Sequence, residues 1–404
     1  MKKEFPQPIK CDDCEKTYFP CGWCSRCEGN YYITRFDQWT TGNSELDELI
    51  RESQKFSNAP SDIIVYIPFE NIVAISAITD KVTKIIWPEG PRRRWDTRNE
   101  VWVGTGPYDS VMKRLTNKNK LCADFIRQIW SHRKCMRNPS ISDVVGLTVD
   151  DEDNILVVVR REKRNLHGFI ESEKGVLSVE TIVALGWDII GALNNIHSHG
   201  LVHRNLHSGN ILVDTDDDEN YGGYHSAVIS DLGFYGSPEK ETDISYERRY
   251  VYGVLPFVAP EVLRGNEHTA KSDIYSFGMI LWTMLSGEVP WRNEHFNAKL
   301  ARSIVEGNRP DCPLFTPPFL YEIVKKCWEP DPNNRPTSEE LNKRFEIIES
   351  AIHDDFNELE IYGQQVNADN ERKRWAAHNP CAQKYYKIQP LSSLSSTRIQ
   401  IVEN

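Results

Sequence analysis

The sequence predicts an α+β protein built as two lobes, a small β-rich part followed by a larger helical part. Two patterns predict it. From about Ile63 to Val111, short β-branched runs alternate with turns, whereas beyond Ser178 apolar residues recur at steps of three and four. A length of 404 residues fits a two-lobed module with extensions. The 39% hydrophobic and 26% charged residues are ordinary for a globular chain.

Taken in order, the chain begins with Cys11 and Cys14 as one C-x-x-C pair and Cys24 and Cys27 as a second, nine residues apart, with Cys21 as a spare thiol between them. Phe36 and Trp39 follow, and Thr40 to Asn43 reads as a turn. Ser44 with Asp47 resembles a helix N-terminal box, and Leu46, Leu49 and Ile50 give that helix one apolar face. Strand-like runs come at Ile63–Val65, Ile72–Ala74, Lys84–Trp87 and Val101–Val103, suiting a small antiparallel sheet. Pro91 to Arg94 is a basic loop, read as a solvated hairpin tip. Ser178 is the expected cap of a helix whose Ile182, Leu185, Ile189, Leu193 and Ile196 share a face. Helical patterns recur near Ser272–Leu285, Asn297–Val305, Phe319–Trp328 and Thr337–Ile352.

The resulting division is a Cys-rich module over 1–35, a helical linker over 36–62 and the two-lobed domain over 63–352, with lobes 63–159 and 163–352. A flexible tail is expected over 353–404, where Arg372, Lys373, Arg374 and a Leu-Ser-Ser-Leu-Ser-Ser stretch lie. No internal repeat is evident.

A net charge of −11 argues against a general nucleic-acid binder. No apolar run is long enough to span a bilayer, and the basic start lacks the apolar core of a secretory signal. The expected compartment is the cytoplasm, with the nucleus open. Five of the ten cysteines crowd the N-terminal stretch, which suits an intracellular metal site better than a disulfide scaffold.

The chemistry-bearing run is His203-Arg204-Asn205-Leu206-His207-Ser208-Gly209-Asn210, then Ser230-Asp231-Leu232-Gly233, Ala259-Pro260-Glu261, Asp273-Ile274-Tyr275-Ser276-Phe277-Gly278 and Asn334-Arg335-Pro336. This ordered set resembles the larger lobe of eukaryotic protein kinases over roughly residues 65–350. The resemblance implies that Asn210 and Asp231 hold Mg²⁺ against ATP phosphates, and that Arg204 can pair with a phosphorylated activation segment. It implies that Glu261 pairs with Arg335 and that Asp273 braces the catalytic loop. Ser110-Val111-Met112-Lys113 resembles the strand that delivers a phosphate-binding lysine. Lys113 takes that role, a solvated strand-end lysine being the alternative. Its helix partner, a Glu in the family, falls on Gln128. The hinge reads Val157-Val158-Val159-Arg160-Arg161-Glu162, with Val158 as gatekeeper and Val111 and Arg161 beside the nucleotide.

Three departures accumulate. Asn205 stands where the family has the carboxylate that accepts the substrate proton, help typically worth about 10²–10⁴ in rate. The glycine-rich strap is replaced by Ser76 to Val82, which contains no glycine. Two arginines at the hinge are unusual. The His-Ser-Gly-Asn wording, Cys327-Trp328 and the cysteine pairs look most like the tyrosine-kinase-like expansions of some fungi, with this chain as a degenerate, pseudokinase member.

The cysteine spacing matches a zinc ribbon, with structural Zn²⁺ on Cys11, Cys14, Cys24 and Cys27. Three functions stay open: a signalling pseudokinase with weak ATP and Mg²⁺ binding and other signalling proteins or kinases as partners, a slow serine/threonine kinase, and a zinc-ribbon interaction module supported by the kinase lobe.

Overall fold

A computed structural model describes residues 9–10, 14, 17–18, 24–57, 59–78, 82–96, 101–117, 133–135, 138–161, 164–215, 225–231, 250–353, 359–378 and 397–400. The chain forms two units, one running to Arg161 and one following it. Gln128, the strap residues 79–81, and the activation-segment residues 232–249 lie outside the described residues, as does Cys11.

The first unit opens with a hairpin of β1 (Ile9–Lys10) and β2 (Thr17–Tyr18), then α1 (Ser25–Ile33) and α2 (Ser44–Lys55). Strands β3 (Val65–Tyr66), β4 (Val73–Ala77), β5 (Val82–Trp87), β6 (Arg92–Asp96), β7 (Val101–Gly104), β8 (Tyr108–Asn117), β9 (Val144–Val149) and β10 (Asn154–Arg160) follow. Six of them form one sheet in the order β3-β9-β10-β8-β5-β4, antiparallel except where β3 runs parallel to β9. The pair β6–β7 is a separate ribbon, not part of the main sheet.

Period-two alternation splits this sheet into two faces. Val144, Leu147, Ile155, Val157 and Val159 pack with Leu46, Leu49 and Ile50 of α2. Ile85, Trp87, Met112, Val145, Leu156 and Val158 make the other cluster. The segment read as a helical linker is therefore core. Its cap also differs from the expectation. Asn43, with extended backbone, accepts from the Leu46 N–H at 3.0 Å, and the helix begins at Ser44. Asp47 instead closes the preceding turn, accepting from the Thr41 N–H and hydroxyl at 2.8 and 2.6 Å and from the Thr40 hydroxyl at 2.7 Å. Both residues are good caps, and the backbone turn at Thr41 decides between them.

In the basic stretch read as a solvated tip, Pro91 is buried and Arg92 half-buried. Arg92 pairs with Glu28 of α1 at 3.1 Å and lies over the Tyr31 ring at 3.7 Å. A contact across sixty-four positions left no local signal in the sequence.

The second unit carries β11 (Arg164–Asn165), α3 (Leu166–Ser172), α4 (Val179–Ser198), β12 (Ile211–Thr215), β13 (His225–Ile229), β14 (Tyr250–Gly253), α5 (Pro260–Leu263), α6 (Ala270–Ser286), α7 (Ala298–Val305), α8 (Pro318–Cys327), α9 (Ser338–His353), α10 (Leu359–His378) and β15 (Thr397–Gln400). Ser178 caps α4 as expected, accepting from the Thr181 N–H at 3.0 Å, and Ile182, Leu185, Ile189, Leu193 and Ile196 are all buried. Helices α4 and α9 approach so closely at Gly186 that a Cβ there would stand 2.5 Å from the Phe345 ring.

The tail expected to be flexible contains structure. Ile361, Gln365, Ala368 and Arg372 form a buried stripe on α10 at steps of four, three and four. Asp369 accepts from the Val179 N–H at 2.8 Å, and Arg372 donates to the Leu285 carbonyl. Farther on, β15 pairs antiparallel with β14. Among the described residues, no helix is long and apolar enough to cross a membrane.

If α2 is core, Leu49→Ala should lower the stability of the first unit by about 2–5 kcal/mol. Phe56→Ala, at a residue 60% exposed, should leave it nearly unchanged. Urea unfolding followed by tryptophan fluorescence measures both, and equal small effects would return α2 to the status of a linker.

Candidate functional site

In the second unit the loop after α4 is organised by one buried carboxylate. Asp273, near the start of α6, accepts from the His203 N–H at 2.7 Å and from the Arg204 N–H at 3.1 Å. His197 Nε2 lies 3.1 Å from the same carboxylate, and its Nδ1 meets the Ser338 hydroxyl at 2.9 Å. This is the bracing role expected of Asp273. The sequence did not single out His197, because only the fold brings it to a residue seventy-six positions away.

The clamp fixes an uncommon backbone. Arg204 has φ of 70° and Asp231 has φ of 62°, both left-handed without glycine's freedom. Such residues cost about 1–3 kcal/mol each and persist only when their surroundings over-determine them. Here they do: His203 Nε2 sits 3.0 Å from the Ser230 carbonyl, and the Ser230 N–H donates to the Asn210 carbonyl at 2.9 Å. These bonds tie the two expected Mg²⁺ residues to adjacent stretches of backbone. The Asn210 amide donates through Nδ2 to the Asn205 carbonyl at 2.9 Å, leaving Oδ1 as the atom suited to a hard cation. Asn210 is buried and Asp231 half-buried.

Asn205 lies half-buried, its N–H 3.3 Å from His203 Nδ1. No carboxylate occurs between His203 and Asn210 to stand in for the missing one. The nearby imidazoles are buried and engaged in hydrogen bonds within the loop. Burial pushes His203 below its ordinary value and takes His207 down to about 3. His207 Nδ1 already accepts from the Gly209 N–H at 3.1 Å. Burial likewise holds His167, 2.7 Å from the Ser208 hydroxyl, at about 4. All three are neutral at physiological pH.

Beneath the loop, Glu261 and Arg335 form the expected pair, bidentate at 2.7 and 2.8 Å. The guanidinium is completely buried and also donates to the Glu329 and Lys271 carbonyls at 2.9 and 3.0 Å.

In the first unit, Lys113 sits on the central strand β8, opposite Val157 of β10 and Val82 of β5. Val111 is opposite Val159, so Lys113 and Val111 share a face with Val157 and Val159. Val158, read as the gatekeeper beside them, is opposite Met112 and belongs to the other face. Side chains on opposite faces of one sheet cannot line one site, so the structure does not bring Val158 together with Lys113. Only the register, set by a bulge between Ile155 and Leu156, reveals this. Arg161, expected beside the nucleotide, makes an ion pair with Asp109 at 2.5 Å. The strap connects β4 to β5, and the Ile78 N–H donates to the Val82 carbonyl at 2.8 Å.

At the N-terminus, the Sγ atoms of Cys14, Cys24 and Cys27 lie within 4.8 Å of one another, with Cys14 and Cys24 3.5 Å apart. A disulfide would need about 2.05 Å. Tetrahedral zinc with Zn–S of about 2.3 Å sets sulfurs about 3.8 Å apart, so the three thiols fit such a site. The second pair does not form the turn expected of a ribbon: Cys24 caps α1 and Cys27 lies in its first turn.

A braced His-Arg loop, a following Asp at positive φ and a buried Glu–Arg pair beneath define the helical lobe of a protein kinase. Residues 103–345 match the protein tyrosine and serine/threonine kinase family, and the chain belongs to it. The chain is 23% identical to serine/threonine-protein kinase STY17 of Arabidopsis thaliana over 65% of its own length and 45% of that relative's. It is 28% identical to serine/threonine-protein kinase mos of Patiria pectinifera, over 59% of this chain and 71% of that one. With human receptor-interacting serine/threonine-protein kinase 1 the identity is 29%, over 64% and 40%. The chain thus spans less than half the length of two of these three relatives.

The neutral buried imidazoles predict a pH dependence. Their folded pKa values lie below the unfolded value of about 6.5, so below that pH the unfolded chain binds more protons. Stability is complete above about 6.5 and falls as the pH drops towards the His207 value of about 3. A His207→Gln variant should show a shallower loss of stability between pH 6.5 and 4, measured by urea unfolding; an unchanged slope would mean that His207 is not held neutral.

Proposed function

We propose that this chain is a pseudokinase: a kinase-shaped signalling protein that binds Mg²⁺ and ATP weakly and acts by holding partner proteins. The observation that carries this reading is Asn205 in a loop otherwise held in place by Asp273. An amide has no basic atom of useful pKa, and the nearby imidazoles are already engaged, His203 with the Ser230 carbonyl and the Asn205 N–H and His207 Nδ1 with the Gly209 N–H. Intact bracing around a lost base argues for a retained scaffold.

Asn210 Oδ1 and the Asp231 carboxylate would hold Mg²⁺, and Lys113 would meet the phosphates. The bound metal would supply charge neutralisation at the phosphates. The glycine-free strap weakens nucleotide binding, because side chains hold the backbone away from phosphate oxygens. The partners are other signalling proteins or kinases, and the compartment is the cytoplasm, where thiols stay reduced.

The cysteine cluster holds structural zinc in this reading, with Cys11 as the fourth ligand to Cys14, Cys24 and Cys27. Four thiolates leave no open position for catalysis.

With Mg²⁺ and ATP, the purified protein should phosphorylate itself or a generic substrate no faster than Asp231→Ala does. Wild-type transfer that Asp231→Ala abolishes refutes the pseudokinase reading in favour of a slow kinase. Activity gained by Asn205→Asp would show that only the base is missing. ATP with Mg²⁺ should raise the melting temperature of wild type but not of Lys113→Ala. Elemental analysis should find one zinc per chain, lost in Cys24→Ser; no zinc in protein purified without chelator removes the metal.

A further inference from the structure

Helix α10 encloses a cavity of about 200 Å³ in the second unit, together with the end of α3, the start of α4 and β13. Part of its wall is apolar: Phe169 and Leu177 are buried and Val176 is half-buried. The Phe169 and His225 rings meet edge to face at 4.8 Å, within the favourable range for such pairs. Two bonds to main chain hold α10 in place. Asp369 accepts from the Val179 N–H at 2.8 Å, and Arg372 donates to the Leu285 carbonyl of α6. The cavity is therefore formed by the fold itself, as small-molecule sites commonly are.

Charge and size say what would fit. Besides the His225 imidazole, the ionisable side chains lining the cavity are Glu173 and Asp369 against Arg372 and Lys373, and their formal charges cancel. Glu173 and Lys373 are exposed, and neither side chain makes a hydrogen bond or salt bridge among the described residues. A ligand of net charge would leave one sign unmatched beside an apolar wall, whereas a zwitterion offers a partner to each. Burial pushes the Asp369 carboxyl above its ordinary value, despite the Val179 N–H and the cations of Arg372 and Lys373. An added ammonium beside it is favourable. An apolar cavity of about 150 Å³ holds benzene, so this one admits a single ring with a short polar head.

We propose that this cavity binds a free aromatic α-amino acid. Its ring lies against Phe169, Val176 and Leu177, its ammonium faces Glu173 and Asp369, and its carboxylate faces Lys373. The apolar wall supplies affinity, and the paired charges at the mouth supply selectivity for a head group carrying both signs on one carbon. The site lies wholly within the second unit, so the proposal holds whether or not the protein binds ATP or transfers phosphate.

Isothermal titration calorimetry of the full chain with L-phenylalanine tests this. L-Phenylalanine should bind and should raise the melting temperature. N-Acetyl-phenylalanine and phenylalanine amide keep the ring and lose one charge each, and both should bind at least tenfold more weakly. Glutamate, which lacks the ring, should not bind. Glu173→Gln and Lys373→Gln should each weaken L-phenylalanine at least fivefold. Val176→Trp, which fills the cavity, should abolish binding while the circular dichroism spectrum is kept. Absence of L-phenylalanine binding, equal binding of either single-charge analogue, or unchanged binding by Val176→Trp overturns the proposal. Unchanged binding by both exposed-site variants does the same, which keeps the test decisive should Val176→Trp fail to fold.

Discussion

The helical unit depends on the Asp273 carboxylate. Two main-chain N–H groups and one imidazole converge on it. Hydrogen bonds to a charged group contribute about 1.5–3 kcal/mol each. That is the magnitude needed to hold Arg204 in a left-handed conformation, which costs about 1–3 kcal/mol. The chain of contacts continues from His203 to Ser230 and from Ser230 to Asn210. A single buried anion thus positions residues on both sides of the β12–β13 hairpin.

The Glu261–Arg335 pair is a second buried charge arrangement with a different logic. Its guanidinium is fully enclosed, and removing one partner of such a pair typically costs about 3–5 kcal/mol because the other is stranded. Neither arrangement requires a carboxylate at Asn205. The architecture of the loop and its proton chemistry are therefore separable, and a substitution that removes the chemistry leaves the architecture standing. Burial acts the same way on His207: it secures a neutral ring that accepts the Gly209 N–H and forfeits basicity.

Much of this was legible in the sequence where the signal is local. Helix α4 announced itself because five aliphatic residues repeat at steps of three and four behind a serine cap. The loop from His203 to Asn210, Asp273 and the Glu261–Arg335 pair were legible because order and wording carry them. Helix α10 was hidden because its buried stripe includes Gln365 and Arg372, whose polarity masks the period. Position of the α2 cap required the turn at Thr41, and the ion pair of Arg92 with Glu28 required the fold. The side of the sheet that Val158 occupies is a matter of register, and a one-residue difference reverses it.

The apolar face of α2 has a consequence for how such a chain can change over time. The family match begins at residue 103, yet Leu46, Leu49 and Ile50 cover Val144, Leu147 and Val157. Recombination that carried the matched segment into a new protein without its leading portion would uncover that aliphatic surface, inviting aggregation. The border recognised by similarity therefore runs through one packed cluster and not between two.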